Sequence, residues 1–150
     1  MTTKRFALAF ALTGILVASG SILKVRAGSG FDNSSLSGTY GFANTGLLPN
    51  VSHPTKITNY DPVASAGSWN FHGDGTFDAS DTVAYDGQVI PRTYSGTYSI
   101  NSDGSGSAQF LTPNTGVTHT RNLEIVNQGN TVEYIQTDDG IVGSGSLIKQ

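Results

Sequence analysis

At 150 residues the chain has room for one domain with its own core and not for two. It has no cysteine, which excludes a disulfide framework, a zinc–thiolate site and a thiolate nucleophile. Its 8 Lys and Arg stand against 11 Asp and Glu with no basic cluster, a balance that argues against nucleic acid or an anionic lipid surface as partner.

Residues 1–27 read as a secretory signal peptide. Lys4 and Arg5 precede the apolar run 6–18, and Val25-Arg26-Ala27 offers the small residues at which such a signal is cut. The run is shorter than the roughly 20 residues a membrane-spanning helix needs. Removing it leaves Lys56, Arg92, Arg121 and Lys149, four basic residues against eleven acidic ones, a net −7 that serves solubility. The mature protein is expected to be secreted or periplasmic. Residues 28–35 are rich in Gly, Ser and Asn and read as a flexible leader, and residues 36–150 as a single β-domain.

From residue 36 the hydrophobic period is two. Residues 36–42 form a first strand, with Tyr40 and Phe42 on one face. Pro49, Pro54 and Pro62 predict a long loop over 44–62, apolar enough at Leu47, Leu48, Val51, Ile57 and Tyr60 to pack over one end of the domain. Residues 65–71 and 76–85 flank a turn at His72-Gly73-Asp74-Gly75. Trp69 and Phe71 share a face of the first, while Phe77, Ala79, Asp81, Val83 and Tyr85 share a face of the second. Residues 86–92, with Pro91, read as a second loop. The clearest hairpin spans 94–110, its tip at Asn101-Ser102-Asp103-Gly104. Strands over 117–126, 131–137 and 141–148 follow, joined at Asn127-Gln128-Gly129-Asn130 and Asp138-Asp139-Gly140. Eight strands in consecutive hairpins predict an all-β, antiparallel up-and-down meander that closes into a barrel, since closure removes two exposed edges. A β-sandwich is the alternative.

An eight-stranded barrel is either filled by side chains or holds one small ligand. In residues 117–126 the alternation places Val117, His119, Arg121, Leu123 and Ile125 on the inner face. A buried Arg needs a partner, and Asp81 is the candidate. His119 and Arg121 would then form a polar mouth to an apolar pocket, with Asp81, Tyr85, Tyr98 and Trp69 as further ligand-binding candidates. The blander alternative is a structural ion pair or a rim residue reaching solvent. No metal or cofactor is expected. Counting from Asn101, the twelfth position of a calcium loop is Thr112, not Glu. His53, His72 and His119 lack metal-ligand spacing, and no nucleophile elbow is present.

The segments Leu36-Ser37-Gly38-Thr39-Tyr40, Gly67-Ser68-Trp69-Asn70-Phe71-His72-Gly73-Asp74-Gly75 and Gly96-Thr97-Tyr98-Ser99-Ile100-Asn101-Ser102-Asp103-Gly104-Ser105-Gly106 resemble those of a group of uncharacterised secreted bacterial β-barrel proteins with repeated GTY…NxDGxG hairpins, over residues 36–148. The resemblance implies a fold and supplies no catalytic residues. Gly67-Ser68-Trp69 is similar to the Gly-x-Trp of lipocalins, though theirs lies on the first strand and this one on the second. The Gly-Thr-Tyr repeat is similar to avidin strands, but a single Trp cannot line a biotin site. Size and expected fold also resemble allene oxide cyclase-like barrels, an analogy that transfers no function. The expected function is a non-enzymatic exported barrel binding a small, mostly apolar ligand, with His119 and Arg121 fixing its polar end. One alternative is a structural or surface-interaction protein with a filled barrel. Another is an allene oxide cyclase-like isomerase or cyclase using Tyr, His119 or Glu133.

Overall fold

Burial follows the period of two along the strands. On one of them Phe77, Ala79, Asp81 and Val83 are buried while Thr76, Asp78, Ser80 and Thr82 are exposed, as a sheet with one apolar face requires. The computed structural model describes residues 30–49, 60–113 and 115–150. The expected signal at 1–27 lies outside the described residues, as do residues 50–59 of the expected loop. The strands are β1 (Ser37–Pro49), β2 (Tyr60–His72), β3 (Thr76–Tyr85), β4 (Gln88–Ile100), β5 (Ser105–Thr112), β6 (Val117–Val126), β7 (Thr131–Gln136) and β8 (Val142–Lys149). Each pairs antiparallel with the next and β8 pairs back onto β1, which closes the barrel in meander order.

Three strands are longer than their prolines suggest. β1 and β2 continue through 44–49 and 60–62, ground expected to be loop. Pro62 pairs with Leu47 but lies beyond the β2–β3 ladder, which begins at Val63. Pro91 is likewise inside β4, where 86–92 was expected to be loop. It pairs with Thr82, and the β4–β5 ladder starts only at Gly96, so its missing N–H interrupts nothing on that side. The second expected loop shrinks to a turn at Asp86 and Gly87, both at positive φ. Arg92 consequently becomes an inward strand residue directly opposite Asp81.

From Gly30 onward the expected flexible leader is instead fixed structure that caps one end of the barrel. Asp32 caps a 3-10 turn over Asn33–Ser35 with a reciprocal capping box. Phe31 N–H donates to the Ser102 carbonyl at 3.1 Å. Ile100 N–H donates to Asn33 Oδ1 at 2.8 Å, and the Tyr98 hydroxyl sits 2.8 and 3.0 Å from the Asn33 and Leu36 carbonyls. Leu36 is fully buried and joins the core. Above it Trp69 stacks on Phe77 at 4.0 Å, and Phe71 meets Tyr40 and Tyr98 edge-on at 5.3 and 4.9 Å. This half of the barrel is filled by side chains.

Large rings fit here because glycine lies opposite them. Phe77 pairs across with Gly96, where a Cβ would fall 2.5 Å from Phe77 Cζ and 2.4 Å from the Gln109 carbonyl oxygen. Gly96→Ala is expected to cost about 1–3 kcal/mol through overpacking, read as a lower urea midpoint at unchanged slope. A neutral substitution would mean that Phe77 does not occupy that seat.

Candidate functional site

Past the packed half, the inner face changes character. Leu48, Val63, Tyr85, Ile90, His119 and Gln136 continue the inward alternation of their strands, yet all are only half-buried. They lie toward the barrel end carrying the β3–β4 and β7–β8 turns, where the inward Ser65, Val83 and Thr112 are by contrast buried. Beneath them Trp69, Tyr94, Phe110, Arg121 and Tyr134 form a buried floor.

Arg121 dominates that floor. It faces inward, as the alternation on β6 predicts, and is 3% exposed. Its Cζ lies 5.0 Å from the Trp69 ring, 5.0 Å from Phe110 and 4.4 Å from Tyr134. Among the described residues its Nε and Nη1 have no hydrogen-bond partner, and neither does the buried Tyr134 hydroxyl. Burial pushes the guanidinium pKa down, while Tyr134, Tyr94 and Asp81 push it back up. An arginine remains protonated in such a setting. Cation–π contacts contribute about 0.5–2 kcal/mol each. Desolvating an unpaired charge costs several kcal/mol. The guanidinium is therefore a buried donor set whose Nε and Nη1 lack an acceptor among the described residues.

The expected Asp81–Arg121 pair is not made. Arg92 takes Asp81 instead, through Nε to Oδ1 at 2.8 Å and Nη2 to Oδ2 at 2.6 Å. The Tyr94 hydroxyl donates to the same Oδ2 at 3.1 Å, and Trp69 Nε1 donates to the Tyr94 oxygen at 3.2 Å. The reason is register: Arg92 is directly opposite Asp81 on the neighbouring strand, whereas Arg121 lies three strands round the barrel. Burial, with the Asp81 charge, raises the Tyr94 phenol far above its ordinary value, so it stays protonated and can donate.

His119 is half-buried on the wall, its ring centroid 5.3 Å from that of Phe110. Its Nδ1 lies 2.7 Å from Asp138 Oδ2. Asp138 also accepts from Gln136 Nε2 at 2.6 Å and from Thr120 N–H and Oγ1 at 2.7 and 2.8 Å. Burial alone would raise this carboxyl, but the hydrogen bonds from Gln136, His119 and Thr120 outweigh it and hold the pKa below its ordinary value.

Of the residues singled out from sequence, the structure brings Trp69, Arg121 and Asp81 to the floor and places His119 beside them. Tyr85 is at the rim, its phenol pushed up by desolvation and by the neighbouring Asp61. Tyr98 is not at the site, since its hydroxyl is tied to the leader at the opposite end. Glu133 is exposed and accepts from Ser146 Oγ at 2.7 Å on the outer face. Sequence reasoning missed Arg92, read as loop, and Asp138, read as a turn residue. Extending the β6–β7 register by one more pair of inward positions beyond Arg121↔Gln136 sets Asp138 opposite His119, the signal that could have found it.

No family model and no curated protein matches the chain. A solved structure described as a redesigned beta barrel is similar over 79% of this chain and 94% of its own, at 17% identity and a TM-score of 0.50. That likeness concerns the barrel fold alone.

The Asp138 carboxyl has an ordinary value of 3.8 and a lower folded one. It therefore contributes stability that is present above the ordinary value and lost as pH falls through the folded one. Asp138→Asn is expected to be less stable than the wild type near neutral pH, the difference shrinking between about pH 5 and 2. Urea midpoints across that range check this. A difference that does not vary with pH would show that the folded protein does not favour the ionised carboxyl.

Proposed function

We propose that the protein is an exported, non-enzymatic binding protein for a small, mostly apolar ligand, which enters among the half-buried inward residues, the wall of a cup, and whose polar end is held at Arg121 on its floor. The observation that carries this reading is the buried Arg121 guanidinium with Nε and Nη1 unpartnered. A charge removed from water without an internal counter-ion is costly to keep, and a ligand oxygen is the acceptor it lacks. Leu48, Val63 and Ile90 on the half-buried wall supply apolar surface for the rest of the molecule. His119, oriented by Asp138, adds a second polar contact at the mouth. Binding in this way needs no proton transfer and no cofactor. Export follows from Lys4, Arg5 and the apolar run of residues 6–18.

Trp69 is the protein's single tryptophan and lies 5.0 Å from Arg121 Cζ, so its fluorescence reports on the site. Titration with straight-chain carboxylates from butanoate to dodecanoate is expected to change that fluorescence saturably for at least one member. Arg121→Met is expected to weaken that binding tenfold or more, about 1.4 kcal/mol, with the far-ultraviolet spectrum of a folded barrel retained. No saturable response across the series, or an Arg121→Met protein that binds as well as the wild type, would contradict the reading.

A further inference from the structure

The inner network holds two cations and one anion. Asp81 is the one buried carboxylate among the described residues. Its two oxygens already accept three hydrogen bonds, two from Arg92 and one from Tyr94. Arg121 has none at Nε or Nη1. Asp61, Tyr85 and His119 also face inward nearer the rim and are half-buried. The Tyr94 and Tyr134 phenols stay neutral, burial raising both pKa values. Asp138 is occupied by His119, Gln136 and Thr120 at the rim. The Trp69 indole joins the two halves of the network: its Nε1 donates to Tyr94, which donates to Asp81, and its face lies 5.0 Å from Arg121 Cζ.

We propose that the ligand's polar end is a monoanion, and that Arg92 is the specificity-determining residue that makes it so. By clamping Asp81 from two nitrogens, Arg92 denies Arg121 the one buried carboxylate among the described residues and reserves one unit of positive charge for an incoming anion. The inference rests on the binding reading above. A ligand with a second negative charge finds no further free arginine among the described residues, because Arg92 is already neutralised, and it meets the field of Asp81. A neutral head group leaves the guanidinium's charge uncompensated. Asp81→Asn removes that neutralisation and leaves two cations. The Arg92 side chain is 18% exposed, so it can turn to water when Asp81 is gone. Removing Arg92 does the opposite, leaving the Asp81 carboxylate to balance Arg121.

The experiment compares octanoate, octyl phosphate and octanol, read by Trp69 fluorescence at about pH 8, where the phosphate ester is a dianion. Wild type is expected to bind octanoate at least tenfold tighter than either of the others. Arg92→Met is expected to lose that preference, binding octanoate no tighter than octanol. Arg92→Lys, which keeps a cation beside Asp81, is expected to restore it. Asp81→Asn is expected to shift the octyl phosphate to octanoate ratio at least tenfold toward phosphate. Should Arg92→Met fail to fold by circular dichroism, the Asp81→Asn ratio decides alone. Octanoate binding unaffected by Arg92→Met, or an unchanged ratio in Asp81→Asn, would overturn the role of Arg92 and leave Arg121 as the anchor. A wild type that binds octanoate no better than octanol would likewise overturn the inference, whereas a wild type that binds none of the three would remove the binding reading and this inference with it.

Discussion

A guanidinium that has left water without meeting a carboxylate is the constraint on which the rest of this barrel turns. Arg121 is lodged among Trp69, Phe110 and Tyr134, whose faces lie 4.4 to 5.0 Å from its Cζ. Those rings do not satisfy its N–H groups. The surrounding side chains are arranged as though to preserve that state. Tyr94 links Trp69 to Asp81, and Arg92 holds Asp81 from two nitrogens, so the nearest buried acid is already committed. In a low-dielectric interior such a committed network is rigid, and rigidity is what keeps a charge available.

The barrel supports this by being different at its two ends. One end is closed by the leader, with Leu36 in the core and Tyr98, Ile100 and Ser102 bonded to residues 31–36. Rings packed against glycines, as Phe77 against Gly96, fill the space above. Toward the other end several inward residues are half-buried, and polar groups pair locally: Ser65 donates to Asn44 and Asp138 gathers His119, Gln136 and Thr120. The packed half gives Arg121 and the rings around it a fixed position.

Much of this was legible in the residues themselves. Alternation alone placed Asp81, Arg121, Leu123 and Ile125 inward, because a period of two assigns faces without knowledge of the partner strand. The closed meander was legible from turn chemistry at Asn101-Ser102-Asp103-Gly104 and its relatives. Pairing was not. Pro91 and Pro62 mark loops only when a ladder needs their N–H, and here each lies where a neighbouring strand has not begun. That misreading hid Arg92, and with it the true partner of Asp81. The leader misled for a similar reason: Gly, Ser and Asn favour flexible chain as well as capped turns, and only Ile100 and Tyr98 across the barrel end decide between them.

The most direct measurement is a crystal structure, near 1.5 Å, of the protein grown with 8-bromooctanoate, whose bromine marks the tail by anomalous scattering. The expected result places the carboxylate within about 2.7–2.9 Å of Arg121 nitrogens, the bromine between the half-buried apolar residues of the wall, and Asp81 still clamped by Arg92. A structure in which Arg121 turns to Asp81 or to ordered waters, with no ligand at the floor of the cup, would contradict the account.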